Sequence, residues 1–184
     1  MARTESAMLP LGTVAPNFSL TDVVTGKTVE LASARGPEGL LVMFICRHCP
    51  FVKHLEKSLA KLGRDYAKKG VGIVAISSND AVNYPDDAPE SLAQQARDLG
   101  FNFPYLYDES QGVARAYDAT CTPDFFLFDK DLRLAYRGQF DDSRPGNDVP
   151  VTGKDLRGAI DALLKGEPIS EAQKPSLGCN IKWK

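Results

Sequence analysis

The sequence predicts an α/β sandwich with a mixed central sheet and an N-terminal β-hairpin. Three observations carry that expectation. Residues 40–45 and 71–76 are continuous apolar runs of strand length, as strands covered on both faces require. Between them Phe51, Val52, Leu55, Leu59, Leu62 and Tyr66 recur at helical spacing, so the unit is β-α-β with a crossover helix. Later, residues 124–128 and 132–137 flank Asp129-Lys130-Asp131 as a second hairpin, and an amphipathic helix over residues 153–164 follows.

Taken in order, residues 1–11 are expected as a loose N-terminal arm. Asn17-Phe18-Ser19-Leu20 and Thr28-Val29-Glu30-Leu31 form the opening hairpin around Gly26, and residues 32–39, with Gly36-Pro37 inside, a loop. A helix follows strand 40–45, from Pro50 to residue 69. Pro50 suits its first turn, where a missing N–H costs nothing, and Gly70 ends it. Residues 77–89 are a polar loop at the C-terminal end of a parallel strand, where α/β sheets keep their chemistry. Helices over residues 89–99 and 111–117 flank a short strand over 104–107. The organisation expected is an arm (1–11), one domain (12–166) and a tail (167–184) that packs on the domain through Trp183.

At 184 residues the chain can bury one full core, and a formal net charge of -2 gives no reason to expect a nucleic-acid partner. Residues 1–7 lack the apolar core of a signal peptide, and no later run approaches the length of a membrane span. The expectation is a cytoplasmic protein without a membrane partner. Four cysteines in such a chain argue for redox or metal chemistry over a disulfide scaffold.

Cys46-Arg47-His48-Cys49-Pro50 is where that chemistry concentrates. Cys46 follows a buried strand and precedes a helix, and a Cys-X-X-Cys pair at a helix N-terminus has a lowered first pKa. The other use of such a pair is half a zinc site, with His48 and His54 close by. Cys121 and Cys179 are far apart and lack the spacing that would complete it, so no metal site is assigned. Cys46 is expected to be the attacking thiol, better exposed than its partner, with Cys49 one turn on as the resolving thiol. Arg47 and His48 can place positive charge beside the thiolate and tune it; His54 reads as a partly exposed polar residue. Thr122-Pro123, opening a strand, is a candidate cis peptide. Cys121, two residues before Pro123 and so expected near the pair, reads as a buried small residue or an auxiliary thiol, and Cys179 as either a tail anchor or an auxiliary thiol able to exchange with the pair or with Cys121. The loops around Ser78-Asn79-Asp80, Tyr84-Pro85-Asp86-Asp87 and Asp141–Arg144 read as turns; they lack the alternation of a calcium loop.

The α/β order together with the Cys-X-X-Cys site resembles the thioredoxin superfamily. That resemblance implies a thioredoxin-like α/β/α sandwich in which Thr122 and Pro123 face Cys46 and offer backbone groups to a bound substrate chain. Gly12-Thr13-Val14-Ala15-Pro16-Asn17-Phe18-Ser19-Leu20 looks like the opening shared by peroxiredoxins and TlpA-type thioredoxins. Tyr136-Arg137-Gly138-Gln139-Phe140 looks like the strand after the cis-proline hairpin in that group. The Cys-X-His-Cys-Pro site with the tail Ser176-Leu177-Gly178-Cys179-Asn180-Ile181-Lys182-Trp183 resembles a bacterial set of redoxin-domain proteins. The chain departs from thioredoxin at Ile45, at Arg47-His48 and at Leu40, which stands where thioredoxin has a buried Asp. It departs from peroxiredoxins in lacking Thr three residues before either cysteine, where Met43 and Cys46 stand. The function expected is thiol–disulfide exchange with a protein or small-molecule disulfide, supported by a cellular dithiol reductant and no bound organic cofactor. The alternatives are an atypical thiol peroxidase and a metal-binding protein similar to the copper-delivery Sco family. In that family the cysteines lie three residues apart, not two.

Overall fold

The structure, a computed structural model, describes residues 3–184. In chain order it runs β1 (Arg3–Glu5), β2 (Ser19–Asp22), β3 (Thr28–Glu30), α1 (Leu31–Ala34), β4 (Gly39–Phe44), α2 (Pro50–Tyr66) and β5 (Val71–Ser77). A 3-10 turn (Pro85–Asp87) leads to α3 (Pro89–Leu99), β6 (Tyr105–Tyr107), α4 (Gly112–Ala116), β7 (Cys121–Thr122), β8 (Asp124–Asp129), β9 (Leu134–Gly138), α5 (Lys154–Lys165) and β10 (Leu177–Asn180).

The main sheet has the order β3-β2-β6-β5-β4-β8-β9. β5 pairs in parallel with β4 and β6, and the remaining pairs are antiparallel, so the sheet is mixed as expected. β4 is buried along its whole length because both faces are covered. Its period-2 alternation sends Leu41 and Met43 to one layer and Leu40, Val42 and Phe44 to the other. The first layer packs on Val52, Leu55, Leu59 and Leu62 of α2, with Leu92 of α3 and Leu156 and Ile160 of α5. The second packs on Leu31 of α1, Ala114 of α4 and the aromatic cluster Phe44, Tyr117, Phe126 and Phe128. Each such side chain taken fully out of water contributes about 1.5–3 kcal/mol. That burial holds β4 and the first turn of α2 in fixed relation, and the two cysteines lie in the link between them.

Two expectations about the chain's outer parts are corrected. The arm is not loose over its described residues: Arg3, Thr4 and Glu5 pair with Cys179, Gly178 and Leu177, while Met1 and Ala2 lie outside the described residues. β10 pairs on its other side with β7, so arm, tail and the end of the 119–123 loop form a small separate sheet, β1-β10-β7. Short polar strands such as Arg3–Glu5 have no apolar alternation to announce them; the partner strand, far along the chain, supplies their hydrogen bonds. The expected loop over 32–39 contains α1, started by a capping box between Glu30 and Ser33.

Candidate active site

β4 ends at Phe44, and Ile45 still bonds across to Ile76 (3.0 Å). The chain then turns through residues 46–48, with Cys49 as the N-cap of α2 and Pro50 as its first residue. The expectation of a cysteine at a helix N-terminus therefore holds for Cys49, not for Cys46. Cys46 and Cys49 are both 0% exposed, which corrects the expected exposure of Cys46.

The Thr122–Pro123 bond is cis, and it faces the dithiol. Cys46 Sγ lies 3.4 Å from Thr122 Oγ1, and the Cys49 thiol donates to the Thr122 carbonyl at 3.3 Å. A third sulfur joins them: Cys179 Sγ on β10 is 2.7 Å from Cys49 Sγ. Cys121 is buried beside the loop, and its thiol donates to the Pro123 carbonyl (3.7 Å).

The turn that presents the cysteines is held by a residue 40 positions away. One carboxylate oxygen of Asp87 accepts from the backbone N–H groups of Arg47 (2.8 Å) and His48 (3.2 Å). The other accepts from the Asn79 amide (2.9 Å) and bonds to His48 Nδ1. Asn79 in turn receives the backbone N–H of Lys182 from the tail (2.8 Å). His48 stacks on Tyr84 with ring centroids 5.5 Å apart, and its Nε2 is buried with no partner among the described residues. Arg47 turns its guanidinium to the Ser91 carbonyl on α3 (3.0 Å). The charge that acts on Cys46 is thus the Asp87 carboxylate, where Arg47 and His48 had been expected to supply a positive one. His54, partly buried, bonds Ser143 Oγ (2.7 Å).

These contacts set the thiols apart. Burial, the hydrogen bond to Cys49 and the Asp87 charge push the Cys46 thiol well above its ordinary value. Cys49 is pulled down to about 5, first by the Cys46 thiol that donates to it and then, against its burial, by the Cys179 thiol and the first-turn N–H of Val52. Burial, and next the bond to Cys49, push Cys179 up to about 12. Cys49 is therefore the first of the cluster to ionise, and the proton it gives up is the one directed at the Thr122 carbonyl. Asp87 itself is held below the usual carboxylate range: burial works against it, but the bonds from His48, Asn79 and Arg47 N–H prevail. Cys46 Sγ, a His48 ring nitrogen and an Asp87 oxygen also lie within 4.8 Å of one another, close enough to share a metal ion.

Of the residues expected from sequence, Cys46, Cys49, Thr122, Pro123 and Cys179 converge. Sequence reasoning missed Asp87 and Asn79, which it read as turn formers, and the buried Asp124, which follows Pro123 on β8 and is 0% exposed. The position of Asn79 and Asp87 just beyond a parallel strand was the available signal.

A buried dithiol at a strand-to-helix junction, facing a cis-proline loop on a mixed sheet, defines a thioredoxin-like oxidoreductase. The chain belongs to the AhpC/TSA family, which it matches over residues 11–137. It is 31% identical over 127 residues to the thiol-disulfide oxidoreductase ResA of Geobacillus kaustophilus, covering 69% of this chain and 68% of that protein. Over 100% of this chain and 97% of the other, it is 57% identical to an uncharacterized conserved protein from Geobacillus kaustophilus, whose crystal structure superimposes with a TM-score of 0.98. A hypothetical protein of Sinorhizobium meliloti 1021 is 50% identical, covers 98% of each chain and gives a TM-score of 0.96.

Proposed function

We propose that Cys46 attacks a substrate disulfide and that Cys49 resolves the mixed disulfide. The observation that carries this reading is the contact of both sulfurs with Thr122, at 3.4 and 3.3 Å, beside the cis peptide. Once Cys49 has given up its proton, the Cys46 thiol is placed to donate to it. When a disulfide reaches Cys46, the Cys46 proton passes to Cys49 and the Cys46 sulfur becomes the nucleophile. A Cys46–substrate bond forms, the substrate S–S bond breaks, and the first substrate thiolate leaves. Cys49 then loses its proton, aided by the Cys179 thiol and the Val52 N–H, and attacks Cys46 Sγ. The Cys46–Cys49 bond forms as the second substrate thiolate leaves; an external dithiol restores the pair. Thr122, with Pro123 behind it, lines the substrate groove. The cytoplasm is the compartment we propose, to be checked by fractionation.

A redox titration of the full chain in glutathione buffers, with disulfide-linked peptides mapped by mass, tests the dithiol chemistry. A reversible Cys46–Cys49 bond is expected, together with reduction of a disulfide substrate such as insulin. Absence of that bond at every poise overturns the reading, and rapid peroxide consumption through Cys46 would turn it into a peroxidase. The Cys46, His48 and Asp87 cluster, with the unpartnered His48 Nε2, favours one second reading, a metal site. Metal at unit stoichiometry in protein prepared without chelator, lost in His48→Ala, would support it.

A further inference from the structure

The family match ends at residue 137, and a sulfur 2.7 Å from Cys49 Sγ comes from beyond it. Cys179 is not a loosely placed thiol. β10 pairs with β7 in the register Cys179↔Thr122, opposite the residue that touches both Cys46 and Cys49. Gly178 makes that approach possible, because a Cβ there would collide with the Thr122 carbonyl and the Pro123 nitrogen. Ser176 Oγ donates to the Pro123 carbonyl (2.6 Å), and β1 closes the other edge of the strand. Downstream, Ile181 N–H bonds the Thr120 carbonyl (3.1 Å) and Lys182 N–H bonds Asn79 (2.8 Å). The Cys179 sulfur is therefore fixed against Cys49 from both sides of its strand. At 2.7 Å it stands outside a disulfide bond, which is about 2.05 Å long, yet nearer than any other group described around Cys49. Cys49 meets Cys179 directly and shares the Thr122 contact with Cys46, so it can exchange one bond for the other with little movement.

We propose that Cys179 is a third redox thiol, which takes over the disulfide formed by Cys46 and Cys49. Cys179 Sγ attacks Cys49 Sγ, the Cys49–Cys179 bond forms, the Cys46–Cys49 bond breaks, and Cys46 leaves with the proton that Cys179 gives up. The step is an isomerisation: two electrons remain missing from the cluster throughout, and no outside oxidant or reductant enters. It presupposes the Cys46–Cys49 chemistry proposed above. Its product ties the tail covalently to the N-terminus of α2 and returns Cys46 as a thiol while the protein is still oxidised. Cys121, with its thiol turned to Pro123, takes no part.

Because the two oxidised isomers differ by no electrons, their ratio must be the same at every external poise. A second oxidised isomer also makes the wild-type protein more reducing than Cys179→Ser; a tenfold preference for Cys49–Cys179 corresponds to about 30 mV. The experiment is a glutathione titration of full-length wild type, Cys46→Ser and Cys179→Ser, quenched in acid, alkylated and mapped by mass. We expect both bonds in the wild type at a poise-independent ratio, and a Cys49–Cys179 bond in Cys46→Ser. Cys179→Ser, which can form only Cys46–Cys49 among these three, reports separately on the underlying dithiol reading. If Cys46→Ser keeps Cys49 and Cys179 reduced where Cys179→Ser is fully oxidised, the relay is wrong and the dithiol reading stands. The wild-type map needs no substitution, so a variant that fails to fold does not remove the test: no Cys49–Cys179 peptide at any poise overturns the proposal.

Discussion

Replacing Asp87 with alanine takes the acceptor from the backbone N–H groups of Arg47 and His48, the Asn79 amide and the His48 ring at once. Asp87 is 0% exposed, so water does not readily stand in for the carboxylate. An orphaned buried donor costs about 1–3 kcal/mol, and removing one member of a buried charged network about 3–5 kcal/mol. The costs overlap, and we expect about 4 kcal/mol for Asp87→Ala, or a fall in Tm of roughly 8–16 °C for a chain of this size. Asp87→Asn keeps an oxygen for the two backbone groups but turns an amide toward Asn79 and His48, for a loss of about 2 kcal/mol. It also removes the negative charge that, after burial and the bond to Cys49, holds the Cys46 thiol up, so Cys46 should ionise at lower pH. Thermal melts of the reduced protein give the first quantity, and ultraviolet thiolate absorbance against pH gives the second. A loss under about 1 kcal/mol in Asp87→Ala, or an unmoved Cys46 titration in a folded Asp87→Asn, would refute the anchoring role.

Three other outcomes are expected. With Cys49 lowered from 9.0 to about 5, the unfolded chain binds the extra proton between those values, so the thiols make the reduced protein more stable as pH rises through that window, on the order of 5 kcal/mol in all. Above pH 9 the raised Cys46 reverses the trend; melts of reduced against oxidised protein from pH 5 to 10 measure both arms, and a constant difference would contradict the cluster's charge state. Asp124, held well above the carboxylate range by burial and with Oδ2 unpartnered among the described residues, acts in the opposite direction, because the folded state keeps its proton. Asp124→Asn should raise Tm more at pH 8 than at pH 5, and an equal change at both would show the acid is ionised. Gly178→Ala should force β10 off Thr122 and speed alkylation of Cys46 and Cys49 at least about tenfold, equivalent to 1.4 kcal/mol of lost cover; unchanged rates would mean the tail does not shield them.

The parts of the fold legible in the sequence were those with their own periodicity. β4, α2 and β5 announce themselves by continuous apolar runs and by the helical spacing of Val52, Leu55, Leu59 and Leu62, and α3 appears at residues 89–99 as expected. The Cys-X-X-Cys pair and the cis peptide before Pro123 were legible because both are local chemical signatures. β1 and β10 were not, since Arg3-Thr4-Glu5 and Leu177-Gly178-Cys179-Asn180 become strands only through each other and through β7. The depth of Cys46 was missed for the same reason, because the cover belongs to distant segments. Asp87 was taken for a turn residue because its partners lie 40 and 39 positions back along the chain.

The closing of the small sheet by β10 has a consequence for synthesis. Cys49 and Cys179 are 130 residues apart. At about 5–20 residues per second, a ribosome that has released the dithiol needs roughly 6–26 s more to deliver the strand that covers it. For that interval Cys46 and Cys49 are on a nascent chain without their lid, and the next cysteine to emerge is Cys121. An oxidant met during elongation would therefore find Cys121 available to either of them before Cys179 has arrived. How fast the elongating chain is kept reduced would then decide how much of it completes the site.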